Sequence, residues 1–287
     1  MKLKPLLLIL PALLLLSIFA IYPVFQAFYL SLFDRGLLKP TSSFVGLRNY
    51  ATLFSDRLLW NSLKVSLIYV GSCVAIQFFL GLFLATLLNS PKLRGRDVFR
   101  VIFIVPYVIS GLVIGLVWAW LLNYDFGLLN AAIRAVGFRR QDWLLDTALV
   151  SVIIAYSWWT VSFSMVLLES AMKGIPEELY DAAKIDGANR WQSFRFVTLP
   201  SLRYISLLNL IMITLFTFND FSIILLVTAG GPLHKTDVLG MFMWRTAFKY
   251  YDLGYGSTIA TIYFIINIVI ALIYIRAFGL ETLGGEV

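Results

Sequence analysis

The chain has 287 residues, of which 60% are hydrophobic and only 14% are charged, and its mean hydropathy is +0.85. Because soluble domains carry roughly 25% charged residues, this composition excludes an ordinary soluble protein and, more firmly, a disordered one. A net charge of +7 would suggest nucleic-acid binding in a soluble chain, but in a membrane protein it reflects topology and lipid headgroups. The sequence therefore predicts an all-α membrane protein with no nucleic-acid partner.

Two residue counts exclude further classes of site. The single cysteine, Cys73, lies in an apolar run, so the chain has neither a disulfide framework nor a thiolate metal site. The single histidine, His234, has no second histidine with which to form a metal cluster, and we interpret it as a loop residue. We therefore expect no metal ion and no catalytic residue, which disfavours an intramembrane enzyme.

Six apolar runs are long enough to cross a bilayer, whose core requires about 20 helical residues. In chain order they cover residues 6–33, 60–88, 99–122, 148–172, 204–227 and 256–275. The first run is too long for the usual core of a signal peptide, so we predict a retained span, with a cleaved signal peptide as the alternative. Pro106, within the third run, is either a hinge or a static kink. No stretch between the runs is long enough for a soluble domain, and we predict one transmembrane domain over residues 1–287.

Basic residues near the span ends indicate the orientation, because lysine and arginine collect in cytoplasmic segments. Over the whole chain, the numbers of lysine and arginine residues on the two sides of the membrane differ little. The clearest signal is the short loop between the second and third runs, which carries Lys92, Arg94, Arg96 and Arg100. This loop favours a cytoplasmic N-terminus, and six spans then place the C-terminus on the same side.

The loop between the fourth and fifth runs, residues 173–203, has the composition of a soluble segment. Pro176 followed by Glu177 and Glu178 predicts a helix start. Proline lacks a backbone N–H, and the N–H at the first helical position would have no partner within the helix. The two acids would also interact favourably with the positive end of the helix dipole. Gly187 predicts the end of this helix, since glycine readily adopts the left-handed conformation found there.

A second short helix is predicted after Gly187. Trp191, Phe194 and Val197 recur at a spacing of three and would form one face, and Pro200 would end the helix as the fifth run begins. Such a helix–glycine–helix hairpin favours a docking element held outside the bilayer. An amphipathic hairpin lying on the lipid surface is the alternative, which the pattern by itself does not exclude.

The hairpin also resembles a known family. Residues 181–200, DAAKIDGANRWQSFRFVTLP, resemble the EAA motif of binding-protein-dependent ABC transporter permeases, with Asp181 where that family usually has glutamate. In that family the hairpin is the coupling helix that enters a cleft of a separate ATPase subunit. Leu199 also matches the motif. The resemblance implies that ATPase coupling is carried by Glu178, Asp181, Ala182, Ala183, Asp186, Gly187, Ala188, Phe194 and Pro200.

Three further segments narrow the resemblance to sugar permeases of the maltose and oligosaccharide type. They are the region from Tyr22-Pro23 to Asn49-Tyr50, residues 228–232 (TAGGP) and residues 254–256 (GYG). The resemblance implies a type I ABC importer permease fold with six transmembrane helices and cytoplasmic termini, in a bacterial or archaeal plasma membrane. It also implies three partners: a second similar permease (or a copy of this chain), an ATPase dimer and an extracytoplasmic sugar-binding protein.

The chain has no GxxxxGK[ST] phosphate-binding loop. We therefore expect ATP and Mg²⁺ to be bound by the partner ATPase, and no cofactor to be bound by this chain. The competing interpretation is a secondary transporter driven by an ion gradient. Such folds typically show repeated halves and buried ionisable side chains, and here we find no internal repeat and few deeply placed ionisable groups.

Substrate contacts are predicted from polar and aromatic residues inside the runs, because polar groups in lipid are costly and so face a cavity or a partner. A sugar needs flat rings for its C–H faces and amides or carboxylates for its hydroxyls. Each ring has the alternative of a membrane-interface position. Which sugar is carried, and whether this chain or its partner permease contacts it, stays open. The candidates are Tyr156, Trp158, Trp159, Asn209, Asn219, Asp220, Tyr263 and Asn267.

Overall fold

The computed structural model describes residues 3–38, 41–90 and 93–278, and most of them are helical. The expected topology signal Lys92 lies outside the described residues. A short antiparallel ladder pairs β1 (Phe33–Asp34) with β2 (Ser43–Phe44). Three segments are π-helical turns: Ser17–Ile21, Phe194–Thr198 and Arg245–Lys249. The α-helices are α1 (Leu3–Leu16), α2 (Tyr22–Ser31), α3 (Arg48–Ser55), α4 (Arg57–Leu88), α5 (Arg96–Val108), α6 (Gly111–Leu121), α7 (Leu128–Ala135), α8 (Ala148–Lys173), α9 (Glu177–Ile185), α10 (Arg190–Ser193), α11 (Leu199–Ser201), α12 (Arg203–Asn219), α13 (Ser222–Val227), α14 (Leu239–Trp244) and α15 (Leu253–Phe278).

The predicted fold class is confirmed. By length and composition, five helical stretches in the described residues qualify as membrane spans, and the bent pair α5 and α6 adds a sixth if it counts as one span. They follow the six apolar runs in order, with ends shifted by a few residues. The five stretches are Ile9–Ser31, Arg57–Leu88, Ala148–Lys173, Arg203–Val227 and Leu253–Arg276. The side of the membrane on which the termini lie stays a prediction.

The third run differs from the prediction of one span with a bend at Pro106. Helices α5 and α6 meet at an angle of 98°, and the break lies at Ile109 and Ser110, whose backbones are extended. Pro106 itself stays within α5. The break is supported by a tertiary hydrogen bond, because Trp159 Nε1 donates to the Ile109 carbonyl at 3.1 Å. Local proline chemistry therefore does not set the position of the bend.

The described chain divides into two compact units. In the second unit, Lys64–Val238 with Ile270–Val287, α8 is the central helix and packs against α5, α6, α12 and α13. Close approach between α4 and α8 requires Gly81, since a Cβ there would lie 2.5 Å from Cβ of Ser164. The apolar core continues along α8 through Met165 and Leu168, which are fully buried.

The first unit, Met1–Leu63 with Leu239–Val269, brings together two of the segments noted for their resemblance. Asn49 Nδ2 donates to the carbonyls of Ser31 and Phe33, at 2.9 and 3.1 Å. Gly254 packs against the same strand so closely that a Cβ would lie 2.1 Å from the Phe33 carbonyl oxygen. Tyr255 Oη donates to Asp56 Oδ2 at 3.0 Å. These two motifs therefore share a structural role around β1.

Candidate functional site

A cavity of about 680 Å³ lies within the second unit, where two helix breaks line it. The first break separates α5 from α6. The second separates α12 from α13 at Asp220 and Phe221, and the Asp220 backbone is extended. Broken helices inside membrane spans free backbone groups that must be satisfied by neighbours or by a cavity, and transporters commonly place substrate there.

The cavity walls are mainly apolar and aromatic, with a few polar groups. Rings dominate the lining, which is the surface that stacks on the C–H faces of a sugar. The rings belong to Tyr107, Tyr156, Trp159, Phe163, Phe216 and Phe221. The polar lining residues are Gln77, Thr160, Asn219, Asp220 and Ser222.

The first helix break is held by an aromatic side chain of the cavity. Besides its hydrogen bond to the Ile109 carbonyl, the Trp159 indole packs where Gly111 begins α6. A Cβ on Gly111 would lie 2.5 Å from Trp159 Cη2 and 2.8 Å from Ser222 Oγ. Glycine is therefore required at this position, and Trp159 is fixed in orientation by the same contacts.

The second helix break is held by the Asp220 carboxylate. Its Oδ1 accepts from the backbone N–H of Ser222 at 2.7 Å and from Ser222 Oγ at 2.6 Å. These bonds satisfy a free donor at the start of α13 and leave the half-buried carboxylate at the cavity wall. A carboxylate inside a span is a costly feature that usually has a functional role.

Aromatic and amide contacts extend behind the cavity wall. The Tyr156 ring lies between Tyr69 and Trp159, with centroid distances of 5.7 and 5.8 Å. Buried Gln77 Nε2 donates to Thr217 Oγ1 at 3.1 Å and so joins α4 to α12. These contacts hold the lining side chains before any ligand arrives.

The structure brings four of the eight predicted substrate residues to this cavity: Tyr156, Trp159, Asn219 and Asp220. Trp158, one residue from Trp159, does not line it. The Trp158 ring is 46% exposed and meets Trp118 edge to face at 5.9 Å. Successive residues on a helix differ by about 100° in direction, which explains the different environments of the two tryptophans.

Three other predicted residues lie elsewhere. Asn209 is fully buried, and its Oδ1 accepts from Ser164 Oγ at 3.1 Å, so it joins α12 to α8. Tyr263 and Asn267 lie on α15 in the first unit, where Asn267 Nδ2 donates to the Tyr263 carbonyl at 3.1 Å. Gln77, Tyr107, Phe163 and Phe216 also line the cavity but were not among the predicted residues. Nothing local marks these side chains as a group, because they converge from separate helices.

The cavity wall carries little charge. Among the described residues that line it, Asp220 is the single charged side chain, and none is basic. No group of three or more His, Cys, Asp or Glu side chains able to hold a metal ion occurs in the described part of the chain. The wall therefore offers rings, amide, hydroxyl and carboxylate groups, which together fit a neutral polyhydroxyl ligand.

The predicted hairpin is present, with α9 as its first helix. Pro176 directly precedes α9 and does not occupy its first position, whereas Glu177 and Glu178 lie in the first turn as predicted. Gly187 follows the helix at φ +77°, the left-handed region that favours glycine, and a Cβ there would meet nothing within 4 Å. The N–H of Ala188 donates to the Ala183 carbonyl at 2.9 Å, which closes the helix end.

The second half of the hairpin is more irregular than predicted. Helix α10 begins at a capping box in which Asn189 and Gln192 satisfy each other's backbone N–H groups, a signal that sequence analysis overlooked. A π-helical turn and α11 follow. Pro200 lies inside α11, in the first turn, where the backbone N–H that proline lacks is not required. The prediction that Pro200 ends the second helix is therefore wrong. The chain turns instead at Leu202, before α12.

The two arms of the hairpin contact each other through a polar pair, since Tyr180 Oη and Thr198 Oγ1 are 2.9 Å apart. Within the second arm, the Trp191 and Phe194 rings stack at 5.7 Å. Several apolar side chains of the hairpin remain exposed, among them Ile185, which is 87% exposed, and Trp191, which is 65% exposed. Exposed apolar groups on a polar hairpin are typical of a surface that a partner covers.

The residues expected to couple with an ATPase are distributed over both arms of the hairpin. Asp181 accepts from Lys184 Nζ at 2.8 Å, and this hydrogen bond raises the pKa of Lys184 above its ordinary value. Exposed positions are Glu178, Asp181, Ala182, Asp186, Gly187 and Pro200, whereas Ala183, Ala188 and Phe194 are half-buried.

A buried carboxylate connects the end of α8 to α5, just before the hairpin. The Glu169 side chain is only 3% exposed. Its Oε2 accepts from Arg100 Nε at 3.1 Å, Arg100 Nη2 contacts Oε1, and Lys173 Nζ lies 2.9 Å from Oε1. Arg100 also pairs with exposed Asp97 at 2.9 Å. Two cations from two helices therefore share one carboxylate.

Comparisons with known proteins give a consistent result. Residues 77–280 match the family described as "Binding-protein-dependent transport system inner membrane component". The chain is 35% identical over 282 residues to the probable ABC transporter permease protein YurN of Bacillus subtilis, covering 96% of both chains. It is 34% identical to the trehalose/maltose transport system permease protein MalF of Thermococcus litoralis over 275 residues, or 94% of this chain and 92% of the relative.

A solved structure shares the fold. A chain of the bacterial alginate ABC transporter, crystallised with its periplasmic protein bound to an alginate pentasaccharide, superposes with a TM-score of 0.83 at 20% identity. The match covers 98% of this chain and 96% of the other. At this identity the likeness establishes the arrangement of helices alone.

Proposed function

Because the chain belongs to the family of inner-membrane components of binding-protein-dependent transport systems, we propose that it is the permease subunit of an ATP-driven importer for a sugar or oligosaccharide. Family membership places the chain in the membrane as a transport component. The observation that carries the substrate class is the cavity between the two helix breaks, where several rings surround one carboxylate and amide and hydroxyl groups. The trehalose/maltose permease among the relatives supports the same class.

The proposed substrate contacts divide by chemistry. Trp159 and Tyr156 would stack on the apolar faces of a sugar ring, while Asn219 and Asp220 would accept or donate hydrogen bonds to its hydroxyls. Asp220 keeps its Oδ1 on Ser222 and would use Oδ2 for the solute. A cavity with a carboxylate and no basic lining group in the described residues disfavours an anionic sugar by charge repulsion.

The energy would come from a separate ATPase dimer that binds ATP and Mg²⁺. In this proposal the exposed Ile185 and Trp191 of the hairpin enter a cleft of that ATPase, on the cytoplasmic side, with both termini on the same side. A second similar permease completes the pathway, and an extracytoplasmic sugar-binding protein delivers the solute. This chain then holds no catalytic residue.

Helix α8 provides the mechanical connection between hairpin and cavity. It contributes Tyr156, Trp159 and Phe163 to the cavity wall and continues through Glu169 to Lys173, where the hairpin begins. At 1.5 Å per residue its 26 residues form a rod of about 39 Å. A displacement of the hairpin on ATP binding would tilt this rod, and rigid-body tilting would move the cavity wall between inward-open and outward-open states.

The test is transport by the assembled complex. The tagged chain would be purified from its native membranes and reconstituted with its copurifying proteins and binding protein, and uptake of labelled maltose and trehalose measured. We expect an ATPase subunit to copurify, and uptake to require ATP. Uptake by the chain alone, driven by an ion gradient without ATP, would show a secondary transporter instead. ATP-dependent uptake of a non-sugar solute in place of both probes would overturn the substrate class while keeping the importer.

A further inference from the structure

A second cavity, of about 750 Å³, lies beside the hairpin in the second unit and shares no lining residue with the first. Its walls come from the end of α4, the start of α5, the end of α8 and both arms of the hairpin. Three predicted spans therefore begin or end around it. This position places the cavity at the boundary between the hydrocarbon layer and the hairpin, where lipid headgroups lie.

The charged lining of this hairpin cavity carries an excess of positive charge. Four of its residues are basic and two are acidic: Arg96, Lys173, Lys184 and Arg190, against Glu177 and Asp181. Each lysine already has a carboxylate, since Lys184 pairs with Asp181 at 2.8 Å and Lys173 with Glu169 at 2.9 Å.

The two arginines differ from the lysines. In the described part of the chain neither Arg96 nor Arg190 has a carboxylate within ion-pair distance, although both face one cavity from separate segments. Two like charges in one cavity repel, and a bound anion would relieve that repulsion. Guanidinium groups bind phosphate through two parallel hydrogen bonds, and Asn89 and Ser90 in the same wall add further polar groups.

We propose that the hairpin cavity binds the phosphate of an anionic phospholipid, held between Arg96 and Arg190. A lipid is favoured over a soluble anion because the cavity lies among the ends of three predicted spans and an exposed apolar side chain shares the helix face of Arg96. Phe99 is 46% exposed three residues after Arg96, on the same face of α5. Basic pockets between the ends of membrane helices are known to take anionic headgroups.

Such a lipid would connect the start of α5 to the start of α10. It would thereby hold the hairpin against the span ends. The lipid proposal needs only the membrane location of the chain. Its test is therefore independent of the proposed substrate and of the proposed ATP coupling.

The test measures lipid retention by the full-length purified chain. Native mass spectrometry would count dioleoyl phosphatidylglycerol and dioleoyl phosphatidylcholine bound in a neutral detergent. We expect one phosphatidylglycerol retained with a preference of about tenfold or more, and loss of that preference in the double variant R96Q/R190Q. The matched control is R94Q/R195Q, which removes the same charge from two arginines that do not line the cavity, and it should keep the preference.

Several outcomes would overturn the proposal. Unchanged phosphatidylglycerol binding in R96Q/R190Q would do so, as would equal loss in R94Q/R195Q, which would show general surface attraction. Displacement of the lipid by millimolar inorganic phosphate would identify a soluble-anion site. If R96Q/R190Q lost the copurifying ATPase but bound lipid normally, the cavity would be assigned to an acidic protein partner. If R96Q/R190Q folds poorly, R96K/R190K is the second variant to measure. It keeps both charges but lacks the planar guanidinium groups, so it should retain part of the preference for phosphatidylglycerol.

Discussion

The two cavities of the second unit differ in chemistry although one helix contributes to both. Near its middle, α8 presents Tyr156, Trp159 and Phe163 to a largely apolar cavity with one carboxylate. At its end, Met172 and Lys173 line a cavity with four basic residues. The nine helical rises from Phe163 to Met172 span roughly 14 Å, which is enough to pass from the hydrocarbon layer to the headgroup region.

This difference matches the proposed separation of sugar recognition from ATPase coupling within the unit. Within the membrane, charge is costly, so the inner cavity relies on rings and a few hydrogen-bonding groups. Outside it, charge is inexpensive and the hairpin is free to be polar, with exposed apolar groups where we propose that a partner docks. Between the two cavities lies Glu169, which holds the end of α8 against α5. The predictions below would break or sharpen this division.

The largest effect is expected from Gly187→Trp at the turn of the hairpin. Any L side chain is strained at φ +77°, by about 1–2 kcal/mol, and an indole would also obstruct the proposed docking face. We expect loss of the copurifying ATPase and at least about a tenfold fall in ATP-dependent uptake, which corresponds to about 1.4 kcal/mol of lost docking free energy. Copurification and uptake would be measured on membranes with matched amounts of the chain.

Gly137→Trp is the control for that change. Gly137 follows α7 at φ +89° with open space around its Cβ, so it carries the same backbone strain away from the hairpin. It should leave ATPase association intact. If both variants lose the ATPase equally, the effect arises from strain and the hairpin is not the docking element.

A smaller effect is expected from Glu169→Gln. Glutamine keeps the size of the side chain but cannot neutralise Arg100 and Lys173, and hydrogen bonds to charged groups contribute about 1.5–3 kcal/mol. We expect the free energy of unfolding to fall by about that amount, measured by thermal or denaturant unfolding in detergent. ATP-dependent uptake should fall more than sugar affinity, because the cavity wall itself is intact.

Asp97→Asn serves as the matched control for Glu169. The Asp97 side chain is 77% exposed and pairs with the same Arg100, so its loss should change stability by no more than about 0.5 kcal/mol. A destabilisation equal to that of E169Q would contradict the special role of the buried carboxylate.

Trp159→Ala should weaken sugar recognition, whereas Trp158→Ala should not. The first removes a ring from the cavity and the hydrogen bond to Ile109, and the second removes a ring packed on Trp118. Ring stacking and one hydrogen bond together correspond to about 1.5–2.5 kcal/mol, so we expect KM for uptake to rise by about tenfold or more. An equal rise in KM in the two variants would contradict the assignment of this cavity as the substrate site.

The smallest effect is expected from Asp181→Asn on the exposed face of α9. The pKa of Lys184 should fall towards its ordinary value, which a side-chain NMR titration would detect. Because the pKa of this lysine is raised in the folded state, its pairing stabilises the fold at neutral pH and is lost only as the pH rises through the folded-state pKa. At neutral pH, ATPase copurification would show whether the carboxylate itself is needed for docking.

Local sequence signals predicted the spans and the hairpin well. Apolar runs fix where a chain can cross a bilayer, and the Glu177–Glu178 start and the Gly187 end of α9 follow from dipole and backbone chemistry. The Asn189–Gln192 capping box was also available in the sequence. The irregular course between Phe194 and Pro200 was not, because π-helical turns depend on surrounding packing.

The composition and periodicity of this sequence determined its membrane class, its six apolar runs and a polar hairpin before the fifth, since each depends on residues near one another in the chain. Only the tertiary structure decided that Trp159 and not Trp158 lines the cavity, that the bend of the third run lies at Ile109 and Ser110, and that Glu169 is buried. Each of these depends on which distant helix packs alongside. Such contacts are selected by the fit of whole helices, and no local pattern records them.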